Sequence, residues 1–95
     1  MLEPHRAFHI EGGSEPLPET LLGRATQWCP TGSVFFIRPN RSVVELTRFR
    51  FTSMKFDDER MASWFGLELA RLVVDSCYRE LVVERDKIER RITYR

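Results

Sequence analysis

Residues 57–83 read DDERMASWFGLELARLVVDSCYRELVV. No proline interrupts the stretch and its only glycine is Gly66, so the pattern predicts one long helix over about 57–83. Asp57 suits the N-cap. Asp58 and Glu59 then place negative charge in the first turn, where the helix dipole favours it. With Asp57 as N-cap, Phe56 and Met61 have the spacing of a hydrophobic staple. A glycine inside a helix costs about 1 kcal/mol against alanine. Gly66 makes sense if another element must approach the helix closely there.

Successive residues lie 100° apart around a helix, and this stretch then shows two apolar stripes. Met61, Phe65, Leu69 and Leu72 form one. Leu67, Ala70, Val74, Cys77 and Leu81 form the other, on the opposite side. A narrow polar strip, Glu68, Arg71, Asp75 and Arg79, pairs opposite charges at helical spacing. A helix lying on one sheet needs only one apolar face, so this helix should be covered on two sides.

The covers lie N-terminal to it. Residues 33–38 are β-branched and aromatic and predict a strand. Pro39-Asn40-Arg41 turns the chain, and residues 42–52 make the second strand of a hairpin over about 33–52. Val44 and Leu46 are apolar on even positions, Phe49 and Phe51 on odd ones. Strict alternation would leave one pair outside, so a β-bulge is expected near Thr47-Arg48. A short helix is expected over about 18–28, starting at Pro18 and placing Leu21, Leu22, Ala25 and Trp28 on one face. Cys29-Pro30-Thr31-Gly32 would end it. Residues 6–10 suggest a short strand, and Glu11–Pro18, rich in Gly, Ser and Pro, a loop. The tail from Val82 is ambiguous: Leu81, Ile88 and Ile92 would align on a continuing helix, and Ile88, Ile92 and Tyr94 equally fit alternate positions of a final strand. Helix through about Arg90 is the expectation, with a frayed end at about 91–95 and a flexible start at about 1–5.

The fold class is therefore α+β: a small antiparallel sheet packed against one long helix, with a short helix beside it. Ninety-five residues form one domain, with little interior to spare for an enclosed cavity. The hydrophobic fraction is 42% and the charged fraction 31%, so the chain should fold rather than stay disordered. The formal net charge of +1 argues against duplex DNA or an anionic membrane as the partner. Charge is unevenly placed. Residues 33–56 carry five cations against Glu45 alone, and residues 57–80 carry six acids against three arginines.

No apolar run is long enough for a secretory signal or a membrane span. Cys29 and Cys77 show no CxxC spacing and read as two buried thiols of a cytoplasmic protein; the sequence does not say whether they pair. The basic residues are nearly all arginine, a codon bias common in GC-rich bacterial genomes.

No motif for catalysis, nucleotides or metals stands out, and no cofactor is implied. His5 and His9 are four apart. On one strand they would sit roughly 13 Å apart at ~3.3 Å per residue, and no third ligand follows, so they read as surface histidines. Asp57-Asp58-Glu59 lacks the alternating oxygen ligands of a calcium loop and reads as a cap. Arg48-Phe49-Arg50-Phe51 alternates cations with aromatics. That pattern can bind single-stranded nucleic acid, but on a strand it ordinarily means phenylalanines inward and arginines outward.

These observations suggest a small non-enzymatic protein that binds a protein partner, itself, or both. The short helix looks too small to cover the second stripe, so Leu67, Val74, Tyr78 and Leu81 are the candidate partner surface. The alternative is a small nucleic-acid-binding regulator that uses Arg48 and Arg50 on the hairpin with Arg90 and Arg91 in the basic tail.

Overall fold

The structure, a computed structural model, describes residues 2–18 and 26–93. Four antiparallel strands lie side by side in chain order: β1 (Glu3–His5), β2 (Phe8–Pro16), β3 (Trp28–Ile37) and β4 (Val43–Arg50). Two helices follow, α1 (Glu59–Ser76) and α2 (Tyr78–Thr93). The α+β class stands, with a larger sheet than the hairpin alone. The expected short helix over 18–28 falls mostly on residues 19–25, outside the described residues. Trp28 itself opens β3.

The sheet is larger because two stretches rich in turn-forming residues are strands. Glu11–Pro16 pairs along its whole length with β3, Gly12 opposite Gly32 and Ser14 opposite Pro30. Its glycines serve packing rather than turning. A Cβ on Gly12 would meet the Ser63 carbonyl oxygen at 2.6 Å and collide with the backbone nitrogen of Leu67. One on Gly66 would meet the Gly13 carbonyl oxygen at 2.9 Å and run into that of Thr31. Helix and sheet therefore touch backbone to backbone, the close approach anticipated at Gly66. Pro30 is tolerated in a central strand because the β3–β4 ladder ends there: its carbonyl accepts from Phe51 N–H at 3.0 Å, and the return bond it cannot donate lies beyond β4.

The β3–β4 turn is built from local polar groups. Asn40 Oδ1 accepts from Ser42 N–H at 3.0 Å and from its hydroxyl at 2.7 Å, while Arg41 takes up a left-handed φ of 69°. The bulge is present and lies one residue from its expected place. Val34 pairs with Thr47 and Phe35 with Glu45, so Leu46 is the extra residue. Val44, Leu46 and Phe49 all pack against the core as a result.

The core consists of Phe8, Ile10, Val34 and Phe36 from the sheet with Ala70, Val74 and Leu81 from the helices. Along α1 the buried residues are Ala62, Gly66, Ala70 and Val74, spaced by four. The helix is not continuous over 57–83: it breaks at Cys77, whose N–H still donates to Val73 O at 2.9 Å. Neither proline nor glycine stands at the break. Just beyond it Tyr78 packs edge-on to Phe8, ring centroids 5.7 Å apart, with the Arg6 guanidinium 4.7 Å from the tyrosine ring centre. The chain then stays helical through Thr93, a little past the expected end near Arg90.

The helix start also differs. Asp58, not Asp57, is the N-cap, and its Oδ1 accepts from Arg60 N–H at 2.8 Å. Asp57 instead accepts from Gln27 Nε2 at 3.3 Å. Phe56 makes no staple. Its backbone is drawn into a bridge with Trp28, with bonds of 2.7 and 2.9 Å. Its ring lies on Phe65, centroids 5.4 Å apart.

Two stability measurements check this packing. Gly66→Ala should lower stability by up to about 2 kcal/mol, because overpacking against fixed backbone, about 1–3 kcal/mol, outweighs the helix-propensity gain of about 1 kcal/mol. A raised denaturation midpoint would show that α1 does not sit on β2 and β3 as described. Asp58→Ala should lose about 0.5–2 kcal/mol as a removed cap, while Asp57→Ala should stay within about 0.5 kcal/mol as a surface change. Equal losses at the two positions would move the cap.

Candidate functional site

Alternation divides the sheet residues between two faces. Phe8, Ile10, Gly12 and Ser14 of β2, with Pro30, Gly32, Val34 and Phe36 of β3, face the helices; Ser14 Oγ lies 3.0 Å from Ser63 Oγ of α1. The intervening residues face away. A groove of about 450 Å³ is lined by Glu11, Gly13, Glu15, Thr31, Ser33, Arg48 and Arg50 of that far side together with Gly12, Gly32 and Phe49. Arg48 Nε lies 3.1 Å from Glu45 Oε1, and Arg50 Nη1 lies 3.1 Å from Glu15 Oε2. Both arginines are well exposed, so each pair contributes only about 0–1 kcal/mol.

Arg48 and Arg50 thus share one groove, as the alternation implied, while Phe49 turns inward over Gly32. Arg90 and Arg91 do not line that groove. They sit exposed in the last turn of α2, where positive charge suits the helix C-terminus.

The helices show the largest departure from expectation. Val74 is fully buried and Leu81 is 8% exposed, both within the core of the single chain. Leu67 and Tyr78 pack against that core from its margin. These four residues, expected at a partner surface, are engaged within the chain. The other stripe, also expected to be covered, faces outward at Met61 and Leu72, which are 50% and 58% exposed. Trp64, absent from either stripe, is 55% exposed beside them. Phe65 and Leu69 are half-buried flanks.

Backbone contact at Gly12 and Gly66 leaves no room for a side chain where α1 crosses β2 and β3, so Ala62, Gly66 and Ala70 face inward there and Leu67 packs at the margin. The legible signal was the repeat Ala62, Gly66, Ala70 at intervals of four, read together with Gly12, Gly13 and Gly32 in the preceding segments.

The histidines are not free surface groups. His5 Nε2 lies 2.9 Å from Asp75 Oδ1, with Arg6 Nε 3.6 Å from the same oxygen. Arg71 bridges Glu3 and Glu68. These contacts tie the edge strand β1 to α1. His9, on the opposite sheet face, is half-buried, and among the described residues its Nδ1 has no hydrogen-bond partner. Among the described residues, no three His, Cys, Asp or Glu side chains converge as metal ligands. Both cysteines are free. Cys29 is buried on β3, not at a helix end. Cys77, expected in the core, is exposed at the helix break. No helix among the described residues is long and apolar enough to cross a membrane.

Comparison with protein-family models, curated proteins and solved structures gives no match.

Proposed function

We propose that this chain is a non-enzymatic interaction protein that binds a protein partner through the outer face of α1. The observation that carries the reading is that Met61, Trp64 and Leu72, each about half exposed, share one side of a rigid helix. Trp and Met are enriched in the centres of protein interfaces, and tryptophan is a common hot spot. Both signs of charge border the patch: Asp57, Asp58 and Glu59 stand with Arg60 at the helix start, and Glu68 pairs with Arg71. The fitting partner carries an apolar patch with a mixed polar rim. The reading includes a cytoplasmic setting, supported by two unpaired thiols, and a bacterial source, supported by the arginine bias.

Trp64→Glu tests it, because Trp64 is half exposed, meets Phe65 edge-on and, among the described residues, lies outside the core cluster, so the variant should fold normally. A polypeptide that copurifies stoichiometrically with the parent should bind Trp64→Glu about 30-fold or more weakly, the loss of a hot spot worth about 2 kcal/mol. Trp64→Phe should retain much of the affinity. Partner recovery unchanged by Trp64→Glu would remove this face from the function.

A second reading, binding of single-stranded nucleic acid on the far sheet face, is favoured by Arg48 and Arg50 lining one groove. The carboxylates of Glu45 and Glu15 beside them weigh against it, since they offset the charge a phosphate would meet. Binding of labelled single-stranded RNA at low salt, weakened by Arg48→Gln with Arg50→Gln and with a flattened salt dependence, would bring this reading forward. We expect no binding by the parent.

A further inference from the structure

The edge of β4 is built to pair with itself. β4 is an outer strand of the sheet and, unlike the three-residue edge β1, it runs for eight residues. Two hydrogen bonds fix which of its backbone groups point inward. Arg38 N–H donates to Ser42 O at 2.9 Å before the strand, and Phe51 N–H donates to Pro30 O at 3.0 Å after it. Antiparallel strands alternate inward and outward groups. Counting from each end to the bulge turns Val44, Thr47 and Phe49 toward β3. The backbone N–H and C=O groups of Val43, Glu45, Arg48 and Arg50 then face away from the sheet, unused by β3.

The bulge makes this set self-complementary. In a regular strand residues three apart lie on opposite faces. The extra residue Leu46 returns Glu45 and Arg48 to the same face, where their side chains meet at 3.1 Å. Place a second β4 antiparallel to the first, with the two-fold axis between Leu46 and Thr47. Glu45 then lies opposite Arg48 of the second copy, and Val43 opposite Arg50. Both pairs join outward-facing backbone groups, both lie on one sheet face, and the opposite charges meet twice. An axis through Glu45 would oppose two carboxylates, and one through Arg48 two guanidinium groups. Bulges usually spoil an edge for pairing; here the two-fold sets one bulge against the other.

We propose that two copies of this chain join along β4 in that register, forming one continuous eight-stranded sheet. Val43, half exposed in the single chain, is covered by the aliphatic stem of Arg50 from the second copy. The two grooves lined by Arg48 and Arg50 come side by side across the axis. The partner in this proposal is a second copy of the chain, at a surface separate from α1, so it does not rest on the reading given for Met61, Trp64 and Leu72.

Sedimentation equilibrium on the full chain tests it. The parent should dimerise at high micromolar concentration. Glu45→Arg and Arg48→Glu should each weaken the dimer about tenfold or more, because each sets like charges opposite one another twice. Mixed one to one, the two variants should form a heterodimer, since each supplies the charge the other lacks; a loss confined to the pairing within one chain would not recover on mixing. The double variant Glu45→Arg/Arg48→Glu preserves both kinds of pairing and should dimerise like the parent, which keeps the test intact should a single variant misfold. Trp64→Glu should leave the dimer unchanged. A monomeric parent, variants that do not recover on mixing, or a dimer abolished by Trp64→Glu would each overturn the proposal.

Discussion

The structure depends on a contact between two pieces of backbone. Where α1 crosses β2 and β3, Gly12 and Gly66 bring peptide groups together with no side chain between them. The hydrogen that stands where a Gly66 side chain would be points at the Thr31 carbonyl oxygen, a contact worth about 0.5–1 kcal/mol. Most of the gain is indirect. A helix seated this closely lets Ala62 and Ala70 fill the interface without voids, and close packing is what sustains dispersion attraction in an interior. The apolar bulk of the core then gathers at one end, where Phe8, Phe36, Val74 and Leu81 meet.

Legibility followed from how local each signal was. The hairpin, the helix through residues 59–76 and the bulge are properties of neighbouring residues, and periodicity carries them; the tail from Val82 fits helical and strand spacing alike. The cap moved by one residue because Asp57 and Asp58 are chemically equivalent; Gln27, thirty residues away, engages one of them. Gly12, Gly13 and Pro30 read as breakers because glycine and proline usually punctuate a chain. Here their use is set by a helix more than fifty residues later for the glycines and by the end of a ladder for the proline. The inversion of the α1 faces has the same origin. Helical spacing shows which residues share a face, but which face lies against the sheet depends on what the strands present, and glycines at the crossing reverse the usual preference for large side chains. For the site, the grouping of Arg48 with Arg50 was local and legible, while the carboxylates of Glu15 and Glu11 arrive through strand pairing.

The bulge at Leu46 acts on both sheet faces at once. On the helix side it lets Val44 and Phe49 pack inward although they are an odd number of residues apart, and Phe49 fills the space over Gly32. On the far side it brings Glu45 and Arg48 together. A glycine in the centre of a strand weakens packing unless something occupies the gap, so Gly32 and the phase change in β4 are two parts of one arrangement. A shift of β4 by one residue would expose Phe49 and bury Arg48, and burying an unpaired guanidinium is among the costliest changes a small domain can undergo.

Both outer surfaces follow from these two local exceptions. Because small residues hold the helix–sheet interface at the crossing, Met61, Trp64 and Leu72, on the other side of α1, are left exposed by the same packing that fixes the helix. Solvated apolar side chains scattered singly are ordinary, but three on one rigid face are not. Because one extra residue sits in β4, the strand's outward backbone groups are spaced the same from either end, and reversing the strand exchanges the positions of Glu45 and Arg48. Strong local signals usually agree with the fold they build, and the places where they disagree are where function is expected. In this chain the disagreements lie at Gly66 and Leu46, and each has an accessible surface directly behind it.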